Sequence, residues 1–253
     1  MKLFFRESGD GAPVVILHGL FGSSDNWFTL AKKLSEKNKV YLLDLRNHGN
    51  SFHAEEFNYQ VMAQDVLNFL EEHKIKQPVI IGHSMGGKVA MTIALNIPEN
   101  LNKLIVADIS PAEYPLRHDN IVEALREVDL EKVSSRQDAE KQLSVNISDI
   151  GVRQFLLKNL TRNKEGGYSW KLNLPVIDKN IDKVGEAMDA KKQFEKPTLF
   201  IKGENSRYIR EQDHELISQL FPNYIFKEIK DAGHWVHAEQ PEAFLKIVED
   251  FIK

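Results

Sequence analysis

Short apolar runs alternate with longer amphipathic stretches along the chain. Val14–Leu17, Val40–Leu43, Val79–Ile81, Leu104–Ala107 and Thr198–Ile201 are runs of mainly aliphatic residues without polar alternation. Such runs predict strands of a parallel sheet covered on both faces. Phe226 and Ile229 suit a further strand. Between these runs apolar residues recur at helical spacing: Trp27, Leu30, Ala31 and Leu34; Met62, Val66, Phe69 and Leu70; Val89, Ile93, Ala94 and Ile97; Leu216, Ile217 and Leu220. Pro241 opens a last helix with Phe244, Leu245, Val248 and Phe251 on one face, proline being well suited to a first helical turn. Strand–helix repetition of this kind predicts an α/β fold, a doubly wound and mostly parallel sheet.

The alternation breaks between Pro111 and Lys196. No clear strand run occurs there, charge is denser than elsewhere, and Leu125, Val128, Leu130 and Val133 are scattered apolar positions in helix-like surroundings. The stretch is too long for one crossover. It predicts an inserted helical layer, a cap with a thin apolar face, over residues 111–196. The core is then 1–110 with 197–253.

Composition narrows the function. The 253 residues carry a net charge of −4 and no cysteine, which excludes disulfides, Cys-ligated metal and any thiol nucleophile. Mild acidity argues against a dedicated nucleic-acid binder. No apolar run approaches the ~18 residues of a membrane span, and MKLFFRESGDG turns charged at Arg6, without the apolar core of a signal peptide. The expectation is a soluble cytoplasmic protein, monomer or weak dimer.

The candidate chemistry sits at the ends of the expected strands. Gly82-His83-Ser84-Met85-Gly86 follows one strand and precedes a helix, the context that makes Gly-x-Ser-x-Gly a nucleophile elbow. Ser84 would stand exposed at the carboxyl edge of the sheet, where open α/β sheets bind ligands. His18-Gly19-Leu20-Phe21-Gly22 follows the first apolar run. Acyl transfer needs two donors for an oxyanion; the Met85 N–H supplies one by position and Leu20, with Phe21 as runner-up, the other. Gly233-His234-Trp235 offers His234 as the base that serine needs. His234 and His237 could be read as a metal pair, but His-x-x-His alone is weak, and no metal or cofactor is expected. His18 and His83 are read as packing or hydrogen-bonding residues.

The acid is less plain. Gly203-Glu204-Asn205-Ser206 has serine where Gly-x-x-Asp would place a carboxylate after the fifth strand, and serine cannot balance an imidazolium. Asp108 ends the preceding strand at the same edge of the sheet as Ser84. It is the first candidate, Glu204 the second, and Asp231 reads as a surface residue. Asp44 and Arg46 are read as an internal ion pair bracing the site.

Together HGLFGSSDNW (18–27), DLRNHGNS (44–51), GHSMGGKVA (82–90), ADISP (107–111), GENSRYI (203–209) and AGHWVHAEQP (232–241) resemble the α/β-hydrolase superfamily. Within it they are similar to the YbfF-type cytoplasmic esterases and their eukaryotic relatives. The resemblance implies a sheet of α/β-hydrolase type, Asp108 as the acid with Asn205-Ser206 in its usual place, and carboxylesterase activity on short acyl esters. Acyl-CoA thioesters are a second class it implies.

The expected partner is therefore a small-molecule ester or thioester. A C–C hydrolase or lyase would use the same residues, and a binding protein that kept the fold is the rival from another class. Serine at position 84 excludes the carboxylate-nucleophile dehalogenases and epoxide hydrolases. Tyr114, Leu116, Trp170 and Leu174, with Phe21, Trp27 and Trp235, are candidates for an apolar acyl pocket. Arg117, Arg207 and Arg210 could meet an anionic group.

Overall fold

A computed structural model describes residues 1–114, 119–164, 166–188 and 192–253. Its main sheet has seven strands in the order β1-β3-β2-β4-β5-β8-β9. These are β1 (Phe5–Ser8), β2 (Ala12–Leu17), β3 (Asn38–Leu43), β4 (Val79–His83), β5 (Lys103–Ala107), β8 (Thr198–Gly203) and β9 (Tyr224–Ile229). All neighbours run parallel except β1, which lies antiparallel on β3.

Inside each strand successive residues serve opposite faces. Val15, Leu17, Ile80, Leu104, Val106 and Phe200 join one apolar cluster. Val14, Ile16, Ile81, Ile105, Leu199 and Ile201 join another. That is why the runs show no polar alternation: both faces are buried. The helices α2 (Tyr59–Glu72), α3 (Met85–Asn96) and α9 (Asp213–Leu220) cover the first face through residues such as Met62, Val66, Val89, Ile93 and Ile217. The second face is covered by α1 (Phe28–Leu34) and α11 (Pro241–Ile252), with Trp27, Leu30, Leu34, Phe244 and Val248 buried between. A short α10 (Val236–Glu239) precedes α11.

Two expectations are corrected. β1 was not foreseen: its four residues, FRES, are mostly exposed on an edge, so they carry no apolar pattern. The 111–196 segment was expected without strands. It contains helices α4 (Asp119–Glu127), α5 (Arg136–Leu143), α6 (Ile150–Leu157), α7 (Leu174–Lys179) and α8 (Ile181–Gly185), but also a hairpin of β6 (Leu160–Arg162) and β7 (Tyr168–Trp170). Strands of three residues are too short to display a period.

Nor is the apolar face of this insertion thin. Val122, Leu125, Val133, Leu143, Leu156, Ile177 and Val184 are buried in the same cluster as the α2–α3 face of the sheet. The entry and exit of the insertion are stitched together where Met188 N–H donates to the Pro111 carbonyl (2.8 Å) and Tyr114 N–H to that of Gly185 (3.1 Å). The buried Lys88 on α3 reaches across the seam, donating to the carbonyls of Ala112 (3.0 Å) and Glu186. Tyr59 Oη donates to the Val184 carbonyl at 2.6 Å.

Candidate active site

Parallel register brings the loops after β2, β3, β4 and β5 to one edge. Leu17 is level with Gly82, and His83 with Ala107. In each of the four loops a residue other than glycine takes a left-handed backbone: Phe21 (φ 59°), Asn47 (φ 65°), Ser84 (φ 51°) and Asp108 (φ 53°). Such conformations are sparsely populated and persist only where surrounding structure enforces them.

At Ser84 the enforcement is steric. A Cβ on Gly82 would lie 2.3 Å from the Gly86 carbonyl oxygen, and one on Gly86 would lie 2.4 Å from that of Leu17. Only glycine lets β4, the turn and α3 approach so closely. Ser84 thus stands at the junction, with Met85 as the first residue of α3.

A hydrogen-bonded chain runs from Ser84 through His234 to Asp108. His234 Nε2 is 3.1 Å from Ser84 Oγ, and His234 Nδ1 is 2.7 Å from Asp108 Oδ2. A carboxylate can only accept, so Nδ1 carries the proton and Nε2 is left to accept from the serine hydroxyl. Asp108 is fully buried. Its charge is compensated by three donors: the imidazole, Gly203 N–H on Oδ1 at 3.0 Å, and the Ser206 hydroxyl on Oδ2. Ser206 therefore occupies the position after β8 as a donor to the carboxylate on the neighbouring strand. Glu204, the second candidate acid, turns away to accept from Asp231 N–H at 2.9 Å.

Two further groups hold His234 in place, and a third, His237, packs behind them. Tyr208 stacks on its ring at a centroid distance of 3.9 Å. The His83 ring lies 4.7 Å away, and its Nε2–H donates to the His234 carbonyl at 2.8 Å. His237 stacks flat on Trp27 at 4.0 Å and against His83 at 4.6 Å.

Burial pushes His83 well below the usual imidazole range and His237 down to about 3, with neighbouring histidines adding to both. Both stay neutral beside His234. His18 is lowered by burial too; its Nε2 accepts from Leu45 N–H at 2.9 Å, so Nδ1–H donates to the Gly19 carbonyl at 2.8 Å. These contacts agree with the packing roles read for His18 and His83.

The Asp44–Arg46 pair is a correction. Arg46 binds Asp65 in a fork, at 2.5 and 2.8 Å. Asp44 accepts from Ser24 N–H (2.6 Å) and Asn50 N–H (2.8 Å) instead. Both brace loops at this edge, but with different partners.

Two cavities meet at His234. The first, about 30 Å³, lies over Ser84 and is walled by Leu20, Phe21, Trp27 and Trp235, with Ile121 and Phe155 from the insertion. The second, about 460 Å³ and more open, is lined by Tyr114, Ser206, Arg207, Tyr208 and Arg210.

Of the pocket candidates, then, Phe21, Trp27 and Trp235 line the first cavity and Tyr114 the second. Trp170 on β7 and Leu174 on α7 line neither. Leu116 and Arg117 lie outside the described residues. Arg210 is committed to Asp213 at 2.9 Å. Sequence reasoning did not foresee Ile121, Phe155, Tyr208 or the donor role of Ser206. The stretch GENSRYI contained the last two, yet only the fold shows that its loop closes on Asp108.

The chain matches the family described as alpha/beta hydrolase fold over residues 12–241. It is 39% identical to the sn-1-specific diacylglycerol lipase ABHD11 of Danio rerio over 258 residues, 98% of this chain and 81% of that protein. It is 37% identical to esterase YbfF of Escherichia coli over 246 residues, 96% of this chain and 94% of that protein. Among solved structures, a marine microorganism esterase superposes with a TM-score of 0.96 at 41% identity, covering 99% of both chains. Among the described residues no helix is long and apolar enough to cross a membrane. The parallel sheet, the elbow at Ser84 and these relatives give one result: the chain belongs to the α/β-hydrolase fold family.

Proposed function

We propose that this protein is a serine esterase that hydrolyses small-molecule carboxylic esters through an acyl-enzyme. The observation that carries the reading is the chain from Ser84 Oγ to His234 Nε2 (3.1 Å) and from His234 Nδ1 to Asp108 Oδ2 (2.7 Å). Ser84 attacks the ester carbonyl while His234 takes its proton. The N–H groups of Leu20 and Met85 receive the oxyanion, and the protonated His234 returns the proton to the departing alcohol. Water activated by His234 then attacks the acyl-enzyme and frees the acid. Asp108 holds the tautomer and balances the imidazolium, and does not itself take the proton.

Short-to-medium acyl groups suit the narrow cavity over Ser84, walled by Phe21, Trp27 and Trp235. The open cleft beside Tyr114 and Tyr208 has room for the other part of the ester. The 111–196 insertion is the cap of this site, since Ile121 and Phe155 roof the cavity. The similarity to YbfF and to a diacylglycerol lipase supports ester substrates.

The test is a p-nitrophenyl ester chain-length series run beside acyl-CoA thioesters, on the wild type and on Ser84→Ala. Ester hydrolysis favouring short chains, loss of turnover in Ser84→Ala and labelling of Ser84 by a fluorophosphonate are expected. Full activity in Ser84→Ala would end the proposal.

A further inference from the structure

Phe21 sits in a turn closed by the Gly22 N–H on the Gly19 carbonyl at 2.9 Å. The turn carries the Leu20 N–H, and Phe21 holds the left-handed backbone at its third position. For a bulky side chain that conformation is an outlier, whereas Asn47, at the same edge, is of the type that tolerates it. Something outside the turn must therefore hold it. The structure has such a contact. Asn159, buried just beyond α6 in the insertion, donates from Nδ2 to the Phe21 carbonyl at 2.8 Å. Its second amide hydrogen goes to the Leu156 carbonyl at 3.1 Å, which ties it to the end of α6. Phe155 on the same helix walls the cavity over Ser84 and packs on Trp235 at 5.5 Å.

We infer that Asn159 is a positioning residue for the oxyanion-binding turn: the insertion, through one buried amide, holds the Leu20–Phe21 backbone in the geometry that receives negative charge. The inference rests on the acyl-enzyme reading above. A donor displaced by a fraction of an ångström loses most of its value for a developing oxyanion, while a ground-state carbonyl notices little. Release of this contact should therefore act on kcat and spare KM.

A comparison contact separates positioning from simple attachment. Asn173, also in the insertion, donates from Nδ2 to Asn47 Oδ1 at 3.0 Å. Its removal costs the insertion a similar bond at a loop that carries no oxyanion donor.

The experiment compares wild type, Asn159→Ala, Asn159→Leu and Asn173→Ala for kcat and KM on a p-nitrophenyl ester. It also measures inhibition by an aryl trifluoromethyl ketone, which forms a hemiketal oxyanion on the serine. Asn159→Leu keeps the volume and loses the donor without adding a charge, so it answers the question if the alanine variant folds poorly. Both Asn159 variants should lose about tenfold in kcat with KM within about twofold, and the inhibitor should weaken by the same factor as kcat/KM. Asn173→Ala should leave all three near wild type. Unchanged kcat and inhibitor affinity in the Asn159 variants, or an equal loss in Asn173→Ala, would overturn the inference. If the ketone fails to bind the wild type, the acyl-enzyme reading itself has failed; if it binds wild type and Asn159 variants alike, only the role of Asn159 has.

Discussion

The sheet and the insertion hold their backbones by different means. In the sheet, long-range ladders fix the height of each loop: Leu17, Gly82 and Val106 lie level on three neighbouring strands. The insertion has helices of five to nine residues and a hairpin of three-residue strands. Helices so short are marginal alone. Local devices begin them: the capping box at Ser135 and the Asp149 side chain on Val152 N–H. Their apolar faces then complete a cluster that begins on the sheet. The ladders of the sheet fix the turns at Ser84 and Asp108, whereas the helices of the insertion are buried against the sheet face and share its apolar cluster. On the proposed function the two regions divide the work: the sheet places Ser84 and Asp108, and the insertion, through Ile121 and Phe155, shapes the cavity beside them.

The largest effect that tests this division belongs to the sheet. Asp108→Asn keeps the shape of the side chain but removes the charge that balances His234 at 2.7 Å. Turnover of a p-nitrophenyl ester should fall by about 10³–10⁴, or roughly 4–5 kcal/mol of transition-state stabilisation. Glu204→Gln should stay within about twofold, because Glu204 accepts from Asp231 rather than from the histidine. A severe loss in Glu204→Gln alone would move the acid to the other strand end.

The second test belongs to the insertion. Arg153 is buried and serves Glu140 at 2.6 Å and the carbonyls of Ile147 and Ser148 at 2.7 and 2.8 Å. Arg153→Ala leaves those acceptors without their donor and should destabilise the protein by about 3 kcal/mol. Because the insertion shares its apolar cluster with the sheet, calorimetry should show one transition moved down as a whole. Turnover per folded molecule should change little. A separate early transition, with the main one unmoved, would mean that the insertion folds on its own account.

The same contrast explains what could be read from the chain. Val79-Ile80-Ile81 before Gly-x-Ser-x-Gly announces a buried strand, a turn and a helix, because both faces of the sheet demand apolar residues and the elbow demands glycine. Asp108 is legible as a carboxylate at a strand end level with Ser84. β1 and the β6–β7 hairpin leave no period. Trp170 looks like a pocket residue by type, yet Phe155 and Ile121 reach the cavity, because only the packing of α4 and α6 decides which apolar side chain faces inward. Ser206, Tyr208 and Asn159 act through partners 98, 26 and 138 residues away in the chain. No local pattern encodes such pairings.

The smallest effect probes the seam between the two regions. Lys88 is fully buried on α3, and burial lowers its ammonium from 10.5 to about 7, even though Glu113, Glu186 and Asp213 pull the other way. Its Nζ faces the Tyr114 ring at 4.9 Å and the Tyr59 ring at 5.8 Å. A neutral amine still has two N–H groups, enough for the Ala112 and Glu186 carbonyls. Between pH 7 and 10.5 the unfolded chain holds a proton on this lysine that the folded one lacks. Stability from this group therefore rises with pH across that window, by at most about 1.4 kcal/mol per unit, and is lost as pH falls through 7. Lys88→Met removes the titration and leaves the two carbonyls unpaired. The difference in unfolding free energy between wild type and Lys88→Met, read from urea melts at pH 7.5, 8.5 and 9.5, should widen steadily in favour of the wild type. Parallel curves would show that the lysine keeps its proton in the folded protein, and that the seam is held by a charge rather than by an amine.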